Sequence, residues 1–218
     1  MLYGPIAASR RFRKRVAAGE PIAGAATIDF VNGTYVVNGE TVTAADVISD
    51  TDRISEDGLS ILGSFDNKLD FLGAFRDLLF VRNWTLVVTL DLLALEESNQ
   101  ENTHFWLANT AQTRFIRIET TGGWSHFQEW DGTVQRQLLP DNQHGVGITR
   151  IAVTRTPDLA AIAMNGEAAE SDGTAVTDIE YSVAETAWHN KSSPAGFIRS
   201  IEVMSPVGSA ELPALSAI

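Results

Sequence analysis

Pairs of Asn-Gly or Asp-Gly residues recur along the chain from residue 25 onward and divide it into short segments. The six pairs are Asn32-Gly33, Asn38-Gly39, Asp57-Gly58, Asp131-Gly132, Asn165-Gly166 and Asp172-Gly173. The segments between them are rich in β-branched and aromatic residues, which favour strands, whereas Asn-Gly and Asp-Gly favour the two-residue turns of β-hairpins. The pattern therefore predicts an antiparallel all-β structure.

Ten strands follow from this pattern and leave little room for helices. They are Thr27–Val31, Thr34–Val37, Leu59–Leu62, Trp84–Leu93, His104–Asn109, Arg114–Thr120, Trp124–Trp130, Gly147–Arg155, Leu159–Asn165 and Phe197–Met204. Such a set indicates a β-sandwich or jelly roll, in which antiparallel sheets bury one face each. We also predict one helical turn over Ala44–Ser49 and a capping helix over Leu69–Phe80, where apolar residues recur at helical spacing.

Charge is distributed unevenly along the 218 residues. The whole chain has 16 Lys and Arg against 28 Asp and Glu, a net charge of −12, but residues 1–24 have five basic residues against one acid, a net charge of +4. We call residues 1–24 the basic arm. Its charged cluster comprises Arg10, Arg11, Phe12, Arg13, Lys14 and Arg15, with Phe12 as the one apolar member. We therefore predict an arm over residues 1–24 and one sandwich domain over residues 25–218.

The arm is predicted to dock on a partner, because arginine and lysine present several donors to acidic grooves. Apolar residues alternate with the charges at Leu2, Tyr3, Ile6, Phe12 and Val16, and a purely solubilising tail would not need them. The competing interpretation is a solvated tail. A short helix, intrinsic or induced, is predicted between Ile6 and Gly19.

Composition excludes several classes of function. The chain has no cysteine, so cysteine nucleophiles, Cys-ligated metals and disulfides are absent. The acidic sandwich speaks against sustained binding of nucleic acid. No apolar run is long enough for a membrane-spanning helix, and the arm places its charges after its apolar stretch, the reverse of a secretory signal. We therefore expect no export by such a signal.

The predicted strand Trp124–Trp130 carries the candidate binding residues. Because side chains alternate along a strand, Trp124, His126, Gln128 and Trp130 are predicted to share one face. Two indoles with amide and imidazole groups suit sugar recognition, since aromatic faces stack on apolar C–H surfaces while polar groups bind hydroxyls. The competing interpretation is that the indoles pack in the core or at an edge.

No metal or catalytic motif stands out in the sequence. The four histidines, His104, His126, His144 and His189, lack metal-ligand spacing, and we predict surface or hydrogen-bonded roles for them. No cofactor is predicted. Loop oxygen ligands could still bind Ca²⁺, and Asp131, Asp141 and Asn142 are generic candidates for this.

Two segments carry a family resemblance. Gly147–Glu167, GITRIAVTRTPDLAAIAMNGE, resembles the strand-turn-strand hairpin ending in Asn-Gly of concanavalin A-like lectin/glucanase (laminin-G-like) domains, and Gly196–Leu215 resembles their closing strand and trailing segment. The similarity covers roughly residues 80–215 and implies a concanavalin A-like jelly roll. Ile28–Ile61 resembles, more weakly, the leading segment of bacteriophage virion proteins that carry such a domain.

The resemblance implies a non-enzymatic part of a phage or phage-like particle: a fibre, spike, tail or head-decoration protein. Its arm would bind other virion proteins, and its lectin-like domain would serve assembly or attachment to host surface polysaccharide. A homo-oligomer is expected, a trimer by analogy with fibres and spikes. The apolar strand surface Leu86–Leu93 could be buried between protomers or within one.

The alternative is a glucanase-type glycoside hydrolase, because the same family contains such enzymes. They resemble one another in a Glu-x-Asp-x-x-Glu strand that supplies two carboxylates. Here the nearest match is Glu129-Trp130-Asp131, and Val134 stands where the second glutamate belongs. A catalytic pair would have to come from Glu119, Glu129 and Asp131. Because the motif lacks its second glutamate, we predict no catalytic residues.

Overall fold

The computed structural model describes residues 25–60, 69–81, 83–93, 101–121, 123–140, 143–177, 179–186 and 196–218. In chain order the strands in these ranges are β1 (Ala26–Asp29), β2 (Thr34–Val37), β3 (Glu40–Thr41), β4 (Ile54–Ser55), β5 (Gly58–Ser60), β6 (Leu69–Asp70), β7 (Trp84–Leu92), β8 (Glu101–Ala108), β9 (Phe115–Thr121), β10 (Trp124–Trp130), β11 (Gln135–Leu138), β12 (Gly147–Thr156), β13 (Leu159–Met164), β14 (Glu170–Asp172), β15 (Val183–Thr186) and β16 (Gly196–Met204). The α-helices are α1 (Gly73–Leu79) and α2 (Leu212–Ser216), and single 3-10 turns cover Ala44–Asp46, Thr51–Arg53 and Ser209–Glu211.

The strands form two antiparallel sheets. The ten-stranded sheet has the order β14-β13-β12-β7-β16-β1-β2-β3, with β5 also pairing with β16 and β4 with β5. The six-stranded sheet has the order β11-β10-β9-β8-β15-β6. The strands β8, β9, β10 and β11 are sequential neighbours in the six-stranded sheet, whereas the chain passes from one sheet to the other between β5 and β6 and again between β6 and β7. The predicted all-β antiparallel sandwich is confirmed.

Asn-Gly pairs form hairpin turns where the sequence predicts them. Asn38 and Gly39 have φ angles of 55° and 81°, and Asn165 and Gly166 have 51° and 82°. Two consecutive positive φ angles define the turn whose twist matches the flanking strands, and asparagine and glycine adopt them at the lowest steric cost. The Asn38-Gly39 turn connects β2 to β3 and fixes their register. The Asn165-Gly166 turn follows directly after β13.

The core lies between the two sheets. Strand β7 supplies Leu86, Val88 and Leu90 from the ten-stranded sheet, and Phe105 and Ile118 face them from the six-stranded sheet. All five side chains are at most 1% exposed. Burial of each contributes about 1.5–3 kcal/mol relative to exposure, so this layer holds the sheets together.

The opposite face of the ten-stranded sheet is also covered. Val87 and Ala152 pack there against Leu212 of α2 in a second buried cluster. Strand β7 is therefore buried on both faces, which is why its sequence is almost continuously apolar. The apolar residues of Leu86–Leu93, for which the sequence left two interpretations open, are buried within the chain except for Leu93, which is 50% exposed.

The predicted helix over Leu69–Phe80 is too long. Leu69 and Asp70 instead form β6, because the edge of β15 pairs with them, and α1 begins only at Gly73. The predicted turn at Ala44–Ser49 is confirmed as a 3-10 turn over Ala44–Asp46. The short strands β3, β4, β6, β11, β14 and β15 were not predicted, since two to four residues carry too little alternation. None of the described helices has the length and apolar character needed to cross a membrane.

Candidate functional site

Side chains of β10 alternate between the core and the surface. Ser125, Phe127 and Glu129 are buried between the sheets, whereas the residues at the other positions are half-buried on the side facing away from the ten-stranded sheet. Those other residues are Trp124, His126, Gln128 and Trp130. Their predicted placement on one face is confirmed, and their role in sugar binding stays a prediction.

Neighbouring strands extend this surface, because paired residues of adjacent strands point the same way. Gln128 lies opposite Arg117 of β9 and Gln137 of β11, and His126 lies opposite Glu119. We call this surface the outer face. Its members are Trp106, Phe115, Arg117, Glu119, Trp124, His126, Gln128, Trp130, Gln135 and Gln137.

Arg117 lies at the centre of the outer face and is fixed by its neighbours. Its Nε donates to Oε1 of Gln128 at 2.5 Å, and its Nη1 lies 3.0 Å from Oε2 of Glu119. The guanidinium carbon lies 5.5 Å from the centre of the Phe115 ring, a cation–π distance. Because Arg117 occupies the amide oxygen of Gln128, the amide nitrogen of Gln128 is the group that can donate to a ligand.

Glu119 balances the charge of Arg117. Its side chain is only 3% exposed, and its second oxygen lies 4.0 Å from Nδ1 of His126. To the β8 side, Trp106 stacks on Phe115 with ring centres 5.1 Å apart and planes 16° apart. The outer face is thus a polar centre of fixed geometry between aromatic groups on both sides.

The sequence analysis did not single out Arg117, Trp106 or Gln137. Alternation along the predicted strand Arg114–Thr120 could have placed Arg117 beside Glu119 on one face. The pairing of β9 with β10 could not be read from the sequence in the same way, and Gln137 lies on the unpredicted strand β11.

Glu129 occupies the opposite side of β10 in a buried ion cluster. Its Oε1 accepts from Nη2 and Nε of Arg155 at 2.7 and 3.0 Å, and its Oε2 accepts from Nη1 of Arg136 at 3.2 Å. All three side chains are completely buried. Arg136 also donates to the carbonyls of Thr156 and Thr174, so the cluster ties β10 and β11 to the ten-stranded sheet. Burial lowers the pKa of the Arg136 guanidinium, against the opposing effect of Glu129.

Asp131 anchors the turn after β10. Its Oδ1 accepts from the backbone N–H groups of Thr133 and Val134 at 2.7 and 2.6 Å, and its Oδ2 accepts from that of Thr177 at 2.6 Å. Burial acts to raise the pKa of this carboxyl, but the N–H groups of Val134, Thr177 and Thr133 stabilise the carboxylate, and the net shift is downward. Asp131 thus stays ionised as a structural group.

The three carboxylates considered for glycosidic chemistry do not form a facing pair. Glu119 lies on the outer face, whereas Glu129 lies between the sheets and is bound by two guanidinium groups. Asp131 has both oxygens bound to backbone N–H groups. These three groups therefore provide no free facing pair of carboxylates, because Glu119 lies on the outer side of β9 while the oxygens of Glu129 and Asp131 are bound by arginines and backbone N–H groups.

Metal candidates are sparse in the part of the chain that the structure describes. No group of three or more His, Asp or Glu residues there could hold a metal ion. The oxygens of Asp131, a generic Ca²⁺ candidate, already accept from the backbone. His104 bonds Thr120 at 2.9 Å, as expected of a hydrogen-bonded histidine.

Several predicted residues lie outside the described ranges. They are Asp141, Asn142, His189 and the whole basic arm with Arg10, Arg11, Phe12, Arg13, Lys14 and Arg15. The predictions made for them, and the domain boundary near residue 24, stay predictions.

Comparison with known proteins reveals structural relatives without sequence relatives. No protein-family model matches the chain, and no curated protein is significantly similar in sequence. The CBM40 domain of the Ruminococcus gnavus IT-sialidase, bound to alpha2,3 sialyllactose, matches with a TM-score of 0.54 at 15% identity, over 66% of this chain and 88% of that one. The receptor-binding domain of botulinum neurotoxin type G matches with a TM-score of 0.55 at 8% identity, over 87% of this chain and 49% of that one.

A third match is the leech intramolecular trans-sialidase complexed with 2,7-anhydro-Neu5Ac, with a TM-score of 0.52 at 14% identity. This match covers 67% of the present chain but only 25% of the enzyme. The match to the toxin covers about half of its receptor-binding domain. At these identities the likeness shows the fold alone. The lectin-like sandwich implied by the sequence resemblance is confirmed at that level, and the matches do not bear on a virion role.

Proposed function

We propose that this chain is a non-enzymatic glycan-binding domain whose ligand lies on the outer face of the six-stranded sheet. The observation that carries the proposal is the alignment of Trp124, His126, Gln128 and Trp130 on that face, next to the fixed guanidinium of Arg117. The likeness in fold to the CBM40 domain, which binds alpha2,3 sialyllactose, supports it.

The chemistry of the face matches what a sugar presents. Indole faces at Trp124 and Trp130 can stack on apolar C–H surfaces, while Gln128 and His126 between them can bond hydroxyl groups. Arg117 holds Gln128 by a 2.5 Å hydrogen bond, so part of the ordering of the site precedes binding. Such preorganisation reduces the entropy lost when a ligand binds.

We further propose that the domain is a component of a phage or phage-like particle. In this proposal Arg10, Arg11, Phe12, Arg13, Lys14 and Arg15 of the basic arm bind other virion proteins. The outer face then serves assembly or attachment to host surface polysaccharide, and homo-oligomerisation, as a trimer by analogy, multiplies weak contacts. The support for this part is the sequence resemblance and the charge contrast between arm and sandwich.

A polysaccharide array tests the binding proposal. The full chain is applied to bacterial surface polysaccharides and to alpha2,3 sialyllactose, with released products measured in the same wells. We expect binding without product release, and at least a tenfold loss with Trp124→Ala or Trp130→Ala, about 1.4 kcal/mol.

Ile218→Ala is the matched control, because Ile218 is 75% exposed and follows α2, which packs on the far face of the ten-stranded sheet. It should bind as the unchanged protein does. Product release would replace the proposal with an enzyme. Binding that survives both tryptophan substitutions in folded protein, verified by thermal unfolding, would remove the outer face as the site.

A further inference from the structure

An open groove lies beside the β2–β3 hairpin, at the edge of the ten-stranded sheet. Its volume is about 510 Å³, and it runs between this hairpin, the 3-10 turn at Ala44–Asp46 and the start of α1. Its floor is apolar, with Val37 and Phe75 buried, and its rim is exposed. The residues that matter below are Val37, Val42, Ala45, Asp46, Leu72 and Phe75.

The basic arm joins the sandwich next to this groove. Ala25, the first residue after the arm, accepts a hydrogen bond from the N–H of Asn38 at 2.8 Å. Ala26 pairs with Val37, which lines the groove. Eight residues lie between Val16 and Ala25, and the nine residue steps can span up to about 30 Å. The connection is therefore long enough for the arm from Phe12 onward to reach the groove.

Charges of the two parts are complementary. Residues 25–81, which form the groove and its surroundings, contain ten acidic and three basic residues, a net charge of −7, against +4 for the arm. Asp46 lies on the groove wall, where hydrogen bonds from the Thr43 side chain and backbone lower the pKa of its carboxyl. Glu40 is exposed on the adjoining β3.

We propose that the basic arm of the same chain docks in this groove in the free protein. Phe12 and Val16 provide apolar side chains for the half-buried Val42 and Leu72 of the groove lining. The neighbouring arginines and Lys14 provide the opposite charge for Asp46. The short connection through Ala25 gives the arm a high effective concentration at the groove, which favours its own chain over a second copy. The arm would then have to leave the groove before it could bind another protein.

The absence of cysteine allows a clean cross-linking test on the full chain. Ala17→Cys in the arm is combined with Ala45→Cys on the groove rim, and intrachain disulfide formation is followed by mass spectrometry in a glutathione redox buffer. We expect this pair to form at least tenfold faster than Ala17→Cys with Ala175→Cys. Ala175 is an equally exposed alanine after β14, at the opposite edge of the ten-stranded sheet.

An arm without basic residues distinguishes docking in the groove from mere proximity to it. Replacing Arg10, Arg11, Arg13, Lys14 and Arg15 by glutamine keeps the length of the tether and leaves the groove unchanged. Docking predicts that this change, or 1 M NaCl, slows formation of the Ala17–Ala45 cross-link at least fivefold, since screening weakens exposed charge pairs. An unchanged rate would overturn the proposal, and so would a disulfide that forms only between two chains.

Discussion

The two sides of β10 differ in burial and in chemistry. Ser125, Phe127 and Glu129 point inward and are fully buried, while the residues between them point outward and stay half-exposed. One strand thus supplies both a structural layer and a candidate binding surface. On such a strand the role of a residue depends on the side of the sheet that it faces as well as on its type.

Two glutamates illustrate this contrast. Glu129 is held by two arginines without access to water, whereas Glu119 on the outer face shares one arginine and lies near His126. An ion in the interior depends on its partners because water cannot replace them. Of the pair on the outer face, Glu119 is also buried, but the Arg117 side chain is 18% exposed and can exchange part of its interaction for water or a ligand hydroxyl at lower cost.

The largest expected effect comes from Glu129→Gln. The substitution keeps the shape of the side chain but removes the negative charge that Arg136 and Arg155 both contact in the interior, so we expect a loss of about 3–5 kcal/mol in the free energy of unfolding. Urea denaturation measures it. Gln137→Ala on the outer face is the control and should change stability by less than about 0.5 kcal/mol. Equal losses of stability from the two substitutions would contradict this difference between the two sides of the sheet.

A smaller effect is expected from Asp131→Asn. The amide keeps one acceptor oxygen but cannot accept from Thr177 in place of Oδ2, so the part-buried hydrogen bond from the Thr177 N–H to the carboxylate is lost at about 1–3 kcal/mol.

This substitution also changes the pH dependence of stability. The folded-state pKa of Asp131 is lowered, so its stabilising contribution is complete above the unfolded pKa of about 3.9 and is lost as the pH falls through the folded value. The stability difference between the unchanged protein and Asp131→Asn should therefore be constant from pH 5 to 7 and shrink below about pH 4. A difference that grows on acidification would contradict the role of the carboxylate.

The smallest effect on stability is expected from Arg117→Lys. An ammonium group keeps the charge but cannot hold Gln128 and Glu119 in the same forked geometry, and the partly exposed site limits the loss to about 1 kcal/mol. Glycan affinity, measured by titration calorimetry, should nevertheless fall several-fold because Gln128 loses its fixed orientation. Unchanged glycan affinity of the Arg117→Lys variant would show that the fixed orientation of Gln128 contributes nothing to binding.

The sequence predicted those parts of the molecule that depend on local chemistry. The Asn38-Gly39 and Asn165-Gly166 turns follow from two residue types that tolerate positive φ angles, and the common face of Trp124 and Trp130 follows from alternation.

Long-range pairing was beyond the reach of the sequence. Leu69 and Asp70 fit a helical spacing in the sequence, but in the folded chain they pair with β15 as a strand. Glu129 looked like a candidate carboxylate because Arg136 and Arg155, 7 and 26 residues away, reach it only in the folded sandwich. Arg117 was missed for a similar reason, since its partner Gln128 lies on the next strand.

Fluorine NMR of the full chain labelled with 5-fluorotryptophan tests the central claim most directly. The five tryptophans include Trp84, fully buried between the sheets, and Trp124 and Trp130 on the outer face. Each resonance is assigned by substitution, and the glycan that ranks first on the array is titrated in. We predict that the Trp124 and Trp130 resonances shift with the same Kd while that of Trp84 does not. A ligand that binds the chain and leaves both outer resonances unmoved would contradict the account.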